Sequence, residues 1–176
     1  PAHEGSGIVY CSSRKKVDEV RTKLYAKGFK CGAYHAGLSQ EERAQAQRDF
    51  QNDNLDIMVA TVAFGMGINK SNVRFVIHHD LPRSIEAYYQ ETGRAGRDGL
   101  PSVAWMLYGM KDVVMRHKMV DDSKADEQHK RVEQNNVNPI FSLCEVTQCR
   151  RQVLVEYFGD SMPKPCGNCD NCLNPP

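Results

Sequence analysis

Residues 56–79 read DIMVATVAFGMGINKSNVRFVIHH, and their two apolar runs decide the fold. A strand with one wet face alternates apolar and polar residues. DIMVAT (56–61) and VRFVIHH (73–79) are instead nearly continuous in hydrophobic and β-branched residues, the pattern of strands covered on both faces. Working outward, GIVYC (7–11) and CGAYHAG (31–37) are further short strand candidates. Between them, VDEVRTKL (17–24) sets Val17, Val20 and Leu24 on one helical face. Ser39 and Glu42 make an S-x-x-E capping box that opens EERAQAQRDF (41–50), with Ala46 and Phe50 four apart. Ser84, after Pro82, caps a helix through IEAYYQET (85–92), and SVAWMLY (102–108), which holds the single Trp, reads as a last strand. Strands alternating with helices predict an α/β fold: a mostly parallel sheet with helices on both faces.

The texture changes from Lys111. VMRHKMVDDSKADEQHKRVEQNN (114–136) is polar and charged, and predicts helices joined by an exposed turn near 121–126. A later helix places Val153, Tyr157 and Phe158 on one face and stops at Gly159. The expected boundary lies near Gly109, giving a domain over 1–108 and a small, mainly helical subdomain over 109–176, a division that 176 residues can hold. No apolar run reaches the roughly 18 residues a membrane span needs. The start, PAHEGSGIVYC, lacks a basic-then-apolar signal, so a cytoplasmic location is expected. A formal net charge of +1 excludes a broad cationic coat, so any nucleic-acid contact has to come from a local groove.

Of the seven cysteines, Cys11, Cys31 and Cys144 stand singly, while Cys166, Cys169 and Cys172 form C-x-x-C-x-x-C with Cys149 upstream. Four thiolates fix a tetrahedral zinc with no open position, the structural type of site. Gly167 eases a backbone wrapped around a metal. Iron–sulfur runs of this form continue to a fourth nearby cysteine before a proline, whereas Leu173-Asn174-Pro175 follows here. On spacing alone, Cys144 and Cys149 both qualify as the fourth ligand.

Two segments look phosphate-directed. Lys70-Ser71 after Gly65 and Gly67 is not a phosphate loop, because Asn69 precedes the lysine and a strand, not a helix, follows. QETGRAGRDG (90–99) is more informative. If the preceding helix continues past Thr92, Arg94 and Arg97 share a face. Their guanidinium forks match phosphate oxygens and stay charged at every relevant pH. The bland alternative is two surface arginines paired with Asp98 or Glu91. His35 reads equally as a satisfied histidine at a strand end, His78 and His79 as packing residues, and Trp105 and the Tyr88–Tyr89 pair as core.

Together SGIVYCSSR, AYHAGLS, DIMVATVAFGMGINK, NVRFVIHHDLPRSIEAYYQETGRAGRDGLP, CRRQVLVEYFG and CGNCDNC resemble the RecQ-type DNA helicases of superfamily 2, closest to the bacterial RecQ proteins. The resemblance implies that 1–108 form a second RecA-like motor lobe and 109–176 a zinc-binding subdomain. It assigns the structural zinc to Cys149, Cys166, Cys169 and Cys172, leaving Cys144, Cys11 and Cys31 as packed thiols. It implies that Arg97 is the arginine finger toward ATP, Arg94 a second phosphate contact and Gln90 a relay of nucleotide state. Ser12, Arg14, His35 and Thr61 are expected along the single-stranded DNA path, with Gly65 and Gly67 in the element coupling DNA to nucleotide. The family's Walker lysine and Mg²⁺-binding acids belong to a first lobe that is not in these residues. The expectation is therefore a piece of an ATP-dependent 3′→5′ DNA helicase of recombination and repair, inactive alone. It would act near the nucleoid on single strands and duplex junctions, partnered by its own first lobe and by no membrane. The competing readings are a non-catalytic DNA- or protein-binding zinc module and, more weakly, an RNA helicase lobe.

Overall fold

The computed structural model describes residues 5–61, 64 and 68–176. Its contacts divide the chain into two compact units, residues 1–82 with 86–109, and residues 83–85 with 110–176. No helix among the described residues is long and apolar enough to cross a membrane.

The first unit is built on strands β1 (Ser6–Tyr10), β2 (Cys31–Tyr34), β3 (Ile57–Ala60), β4 (Val73–His78) and β5 (Val103–Met106), with helices α1 (Arg14–Ala26), α2 (Gln40–Gln51) and α3 (Ile85–Thr92) between them. The strand order is β2-β3-β1-β4-β5, and every pairing is parallel. Register brings the last residue of each strand into one row: Tyr34 beside Ala60, Ala60 beside Tyr10, Tyr10 beside His78, His78 beside Met106. In open parallel sheets this carboxyl edge is where sites are assembled.

Side-chain alternation divides the core. Ile8, Tyr10, Met58, Ala60 and Val76 face one side with Phe50 of α2 and with Phe64. Val9, Cys11, Ile57 and Val59 face the other with Val17 of α1. Both faces are thus covered, which is why DIMVAT and GIVYC carry apolar residues at consecutive positions. Phe50 and Phe64 are fully buried and meet edge-on at 5.8 Å; cutting either to Ala should cost about 3–5 kcal/mol. The Ser39–Glu42 capping box is present at α2, and Ser13 caps α1 by accepting from Lys16 N.

The edge strand β5 departs from expectation. Trp105 is 52% exposed and Tyr89 of α3 55% exposed, so neither is a core residue. β5 is an end strand of the sheet, paired among the described residues with β4 alone.

The second unit contains α4 (Met110–Asp121), α5 (Glu127–Glu145), α6 (Arg150–Tyr157) and the short α7 (Asp170–Leu173). The turn between α4 and α5 falls at 122–126, where Asp126 caps α5 by accepting from His129 N. Helix α5 runs on through Pro139 and buries Val137, Ile140 and Leu143. Helix α6 ends before Gly159, whose φ is +79. Phe158 is the cap rather than part of the helical face, and it meets Tyr157 edge-on at 5.2 Å with both rings partly exposed.

Candidate nucleotide and metal sites

Helix α3 stops at Thr92, and the chain then turns through Gly93–Gly96. Arg94 and Arg97 therefore do not share a helical face. The turn is seated on β4: Gly96 N donates to Val73 O at 2.9 Å, with φ of +68. A Cβ at Gly96 would lie 2.6 Å from Ser102 Oγ, so only glycine fits both the dihedral and the space.

Both carboxylates that could neutralise the arginines are held elsewhere. Asp98 accepts from Arg74 Nη2 at 2.6 Å through both its oxygens, and Arg74 Nη1 also donates to Pro101 O. This guanidinium holds the Asp98 carboxyl below the usual range. Glu91 is buried and accepts from His78 Nε2 at 2.6 Å. Arg97 is exposed, its Nε donating to Gly93 O at 3.2 Å, and it enters no ion pair among the described residues. Arg94 is half-buried, and its charge works against the burial that raises the pKa of the Tyr10 phenol. Gln90 is exposed on α3.

The residues expected along DNA follow the carboxyl ends of β1, β2 and β3. Ser12 and Arg14 are exposed at the start of α1, and Ser12 N donates to Asp80 Oδ2 at 2.9 Å. Thr61 is half-buried, its N–H donating to Tyr34 O. His35 is buried with both nitrogens engaged: Nε2 donates to Asp18 at 3.1 Å, and Nδ1 accepts from Gly37 N at 3.1 Å. Gly65 and Gly67 lie outside the described residues. Lys70 is spent on structure, buried with its ammonium on Asp53 and 5.2 Å from the Phe50 ring centre, which agrees with rejecting a phosphate loop.

In the second unit the sulfurs of Cys149, Cys166, Cys169 and Cys172 all lie within 4.8 Å of one another. The Sγ atoms of Cys169 and Cys172 are 3.4 Å apart and those of Cys166 and Cys172 3.9 Å. A zinc tetrahedron with Zn–S bonds of about 2.3 Å has sulfur–sulfur edges of about 3.8 Å, so the cluster has the dimensions of such a site. Cys149 precedes α6, and Cys169 and Cys172 bracket the first turn of α7. Gly167 turns the chain between Cys166 and Cys169 with φ of +71. Burial opposes ionisation of Cys149, but the N–H groups of Cys166 and Gln152 aimed at its sulfur outweigh burial and bring the thiol down to about 6. Burial and the hydrogen bond shared with the Cys169 sulfur, which favours the protonated thiol, push Cys172 up to about 12. Unaided, the four sulfurs do not all become thiolates; a divalent cation would make them so. Cys144 stands outside the cluster, its thiol pushed up to about 11 by burial.

Around this cluster lie residues that the sequence reading missed. Arg150, next to Cys149, and Asp170 and Asn171, between Cys169 and Cys172, tie α7 to the end of α5 and the start of α6. Asn171 Nδ2 donates to Val146 O at 2.6 Å and Gln148 O at 2.7 Å. A second set of candidate ligand atoms, on Cys11, His79 and Asp80, is less suited to metal. Asp80 already accepts from Lys16 and Ser12 N, and burial together with that carboxylate pushes the Cys11 thiol up to about 12.

Comparison with known proteins matches this geometry. Residues 2–99 match the family model for the helicase conserved C-terminal domain, and residues 110–173 match the RecQ zinc-binding model. This chain is a RecQ-family helicase C-terminal region. It is 53% identical to the ATP-dependent DNA helicase RecQ of Pasteurella multocida over 97% of this chain and 27% of that protein. With the protein of the same name from Bacillus subtilis it is 41% identical, over 98% of this chain and 29% of that protein. The chain thus spans under a third of the length of these curated relatives. A DEAD box protein from Methanococcus jannaschii aligns structurally with a TM-score of 0.57 at 29% identity, over 70% of this chain and 34% of that one. The RecA-like parallel sheet is thereby common to both.

Proposed function

We propose that this region is the second motor lobe, over 1–108, and zinc brace, over 109–176, of an ATP-dependent 3′→5′ DNA helicase acting in cytoplasmic, nucleoid-associated recombination and repair. The observation that carries the reading is the arginine segment. Arg97 is exposed without a carboxylate partner among the described residues, while the two neighbouring carboxylates are held by Arg74 and His78. A cation kept free of in-chain neutralisation fits one that completes a phosphate site on another lobe. In phosphoryl transfer such an arginine stabilises charge on the transferring oxygens and is worth roughly 10³–10⁵ in rate.

In this reading Arg97 is the finger, Arg94 a second phosphate contact and Gln90 a relay. ATP and Mg²⁺ are held mainly by the first lobe, and the fragment alone is inactive. Ser12, Arg14, Thr61 and His35 line the single-strand path, where small donors and cations track the backbone without reading bases. His35, being buried, contributes by placing the Gly37 turn. Gly65 and Gly67 are assigned to coupling. Zinc on the four cysteines is structural.

The test is Arg97→Ala in the full-length helicase. ATP turnover should fall at least about a hundredfold while nucleotide binding is largely kept. Near-normal turnover would sink the assignment. Tight, ATP-independent single-strand binding by the isolated region, together with that result, would favour a non-catalytic binding module.

A further inference from the structure

Gly93, Gly96 and Gly99 punctuate the arginine turn, the last two at φ of +68 and +80. A backbone so rich in glycine does little by itself to aim Arg94 or Arg97. Direction has to come from where the turn is tied, and two ties lie at opposite ends of β4. At the start of the strand, Gly96 N donates to Val73 O. At its end, His78 Nε2 and Glu91 Oε2 are 2.6 Å apart. Arg94 lies between these ties, its N–H donating to Glu91 O at 3.2 Å, and Arg97 comes one residue after Gly96.

The tie at His78 is stiff. Both residues are almost wholly buried, His78 at 1% exposure and Glu91 at 4%. The Tyr10 ring stacks on the imidazole 5.4 Å away at 20°, and the Tyr88 ring lies tilted at the same distance. Two polar groups shut away from water must keep their mutual hydrogen bond, because losing it leaves each one unsatisfied. Packed apolar residues would hold α3 against β4 about as well, since a buried polar pair adds little net stability over them. What the pair adds is direction. A hydrogen bond prefers one length and one line, so it sets the rotation of the last turn of α3, from which the Arg94 backbone departs.

We propose that His78 and Glu91 are positioning residues that aim the arginine turn. This inference rests on the motor reading above. Aim matters there because a guanidinium displaced by about an ångström no longer meets the oxygens of the transferring phosphoryl group. Neither His78 nor Glu91 touches nucleotide in this scheme; both act through Arg94 and Arg97.

The test uses the full-length helicase and the paired variant His78→Phe/Glu91→Leu. Replacing both partners by apolar groups of similar shape leaves neither one unsatisfied, so the variant should melt close to wild type. With saturating single-stranded DNA, kcat for ATP should nevertheless fall about tenfold, while KM for ATP changes less than about threefold. Affinity for ADP with aluminium fluoride, a mimic of the transferring phosphoryl group, should fall in step with kcat, and affinity for ADP alone should not. A merely structural pair would move stability without producing that contrast. The single variant Glu91→Gln, whose amide oxygen still accepts from the imidazole N–H, should keep most of the rate. Should the paired variant not fold, Glu91→Ala, which leaves His78 room for a water, is read in the same way. A folded variant with turnover within about twofold of wild type, or equal losses for ADP and its fluoride complex, would overturn the proposal. Arg97→Ala in the same assays separates the two ideas. Near-normal turnover there removes the motor reading itself, whereas an inactive Arg97→Ala beside a fully active paired variant removes only the positioning role.

Discussion

Arg150 grips Asp170 through two parallel hydrogen bonds, Nε to Oδ1 at 2.7 Å and Nη2 to Oδ2 at 2.8 Å. The remaining nitrogen of the fork donates to Leu143 O at 2.6 Å. One guanidinium therefore joins the end of α5, the residue after Cys149 and the helix between Cys169 and Cys172. Groups beyond the ligand sulfurs are what orient a metal site, and this contact presents two of the four cysteine segments to each other. The neighbouring N–H groups that draw Cys149 down to about 6 belong to the same wrapped backbone.

Arg150→Lys should therefore behave unlike a conservative change. A lysine keeps the charge but has no planar fork, and cannot hold two carboxylate oxygens and a carbonyl together. Zinc affinity, read by competition with a chromophoric chelator, should fall about 10–100-fold. Asp170→Ala should fall with it, and the double variant should be little worse than either single one. Unchanged zinc competition in Arg150→Lys would show that the cysteines orient themselves.

Removing the metal should act on one unit more than the other. The second unit buries few large side chains beyond those of α4 and α5, and α6 and α7 have no fully buried residue. Its tail therefore depends on the metal for its order. Chelation, or Cys169→Ser, should raise amide exchange across 149–172 and lower the melting temperature, while the amides of β1, β3 and β4 exchange as before. Unchanged melting after complete metal removal, confirmed by elemental analysis, would refute a structural zinc.

The sheet was legible because its signal is local. Consecutive apolar residues in 56–61 and 73–79 can only be buried on both faces, and the S-x-x-E box announces α2 without help from the tertiary fold. The cysteine triplet was legible for the same reason, its spacing being the geometry of the ligand set. What stayed hidden is set by distant residues. Nothing in QETGRAGRDG says that Glu91 reaches across 13 residues to His78, or that Asp98 reaches back 24 to Arg74. Glu91 and Asp98 look like natural partners for the arginines beside them, and only the packing of α3 and β4 reveals that each has another. Trp105 misled because its size favours burial, while its strand lies at the sheet edge. The sequence does carry one clue to the pairs: histidine ends β4 where an apolar residue would be expected in a buried row.

The Arg74–Asp98 contact makes a prediction with an internal control. In Arg74→Ala, Asp98 loses its cation next to Arg97 and the loop after Gly96 loses its anchor at Pro101 O. The released carboxylate should neutralise Arg97, so ATP turnover of the full-length helicase should drop by about tenfold or more. Removing that carboxylate as well, in Arg74→Ala/Asp98→Ala, should recover part of the loss. A double variant as slow as Arg74→Ala would assign the effect to the lost anchor alone.

The last prediction concerns pH and the node where β4 ends. Asp80 is nearly buried, which would raise its pKa, but the Lys16 ammonium and the Ser12 N–H outweigh burial and hold the carboxyl below its ordinary value. His79 Nδ1, 3.5 Å from Asp80 Oδ2, is the other titratable group facing it from the chain, with the Cys11 thiol nearby. A carboxylate whose folded pKa is depressed adds stability at pH values above its unfolded pKa of about 3.9, and loses it as pH falls through the lower folded value. Wild type should therefore melt above Asp80→Asn at pH 6, and the gap should narrow once the pH drops below about 4. Differential scanning calorimetry on the two proteins from pH 6 to pH 3 reads this directly. Comparing them at each pH removes the shared effect of acid on the cysteine cluster. A gap that stays constant across the series would mean that Asp80 holds the start of α1 by shape and neutral hydrogen bonding, with its charge contributing nothing.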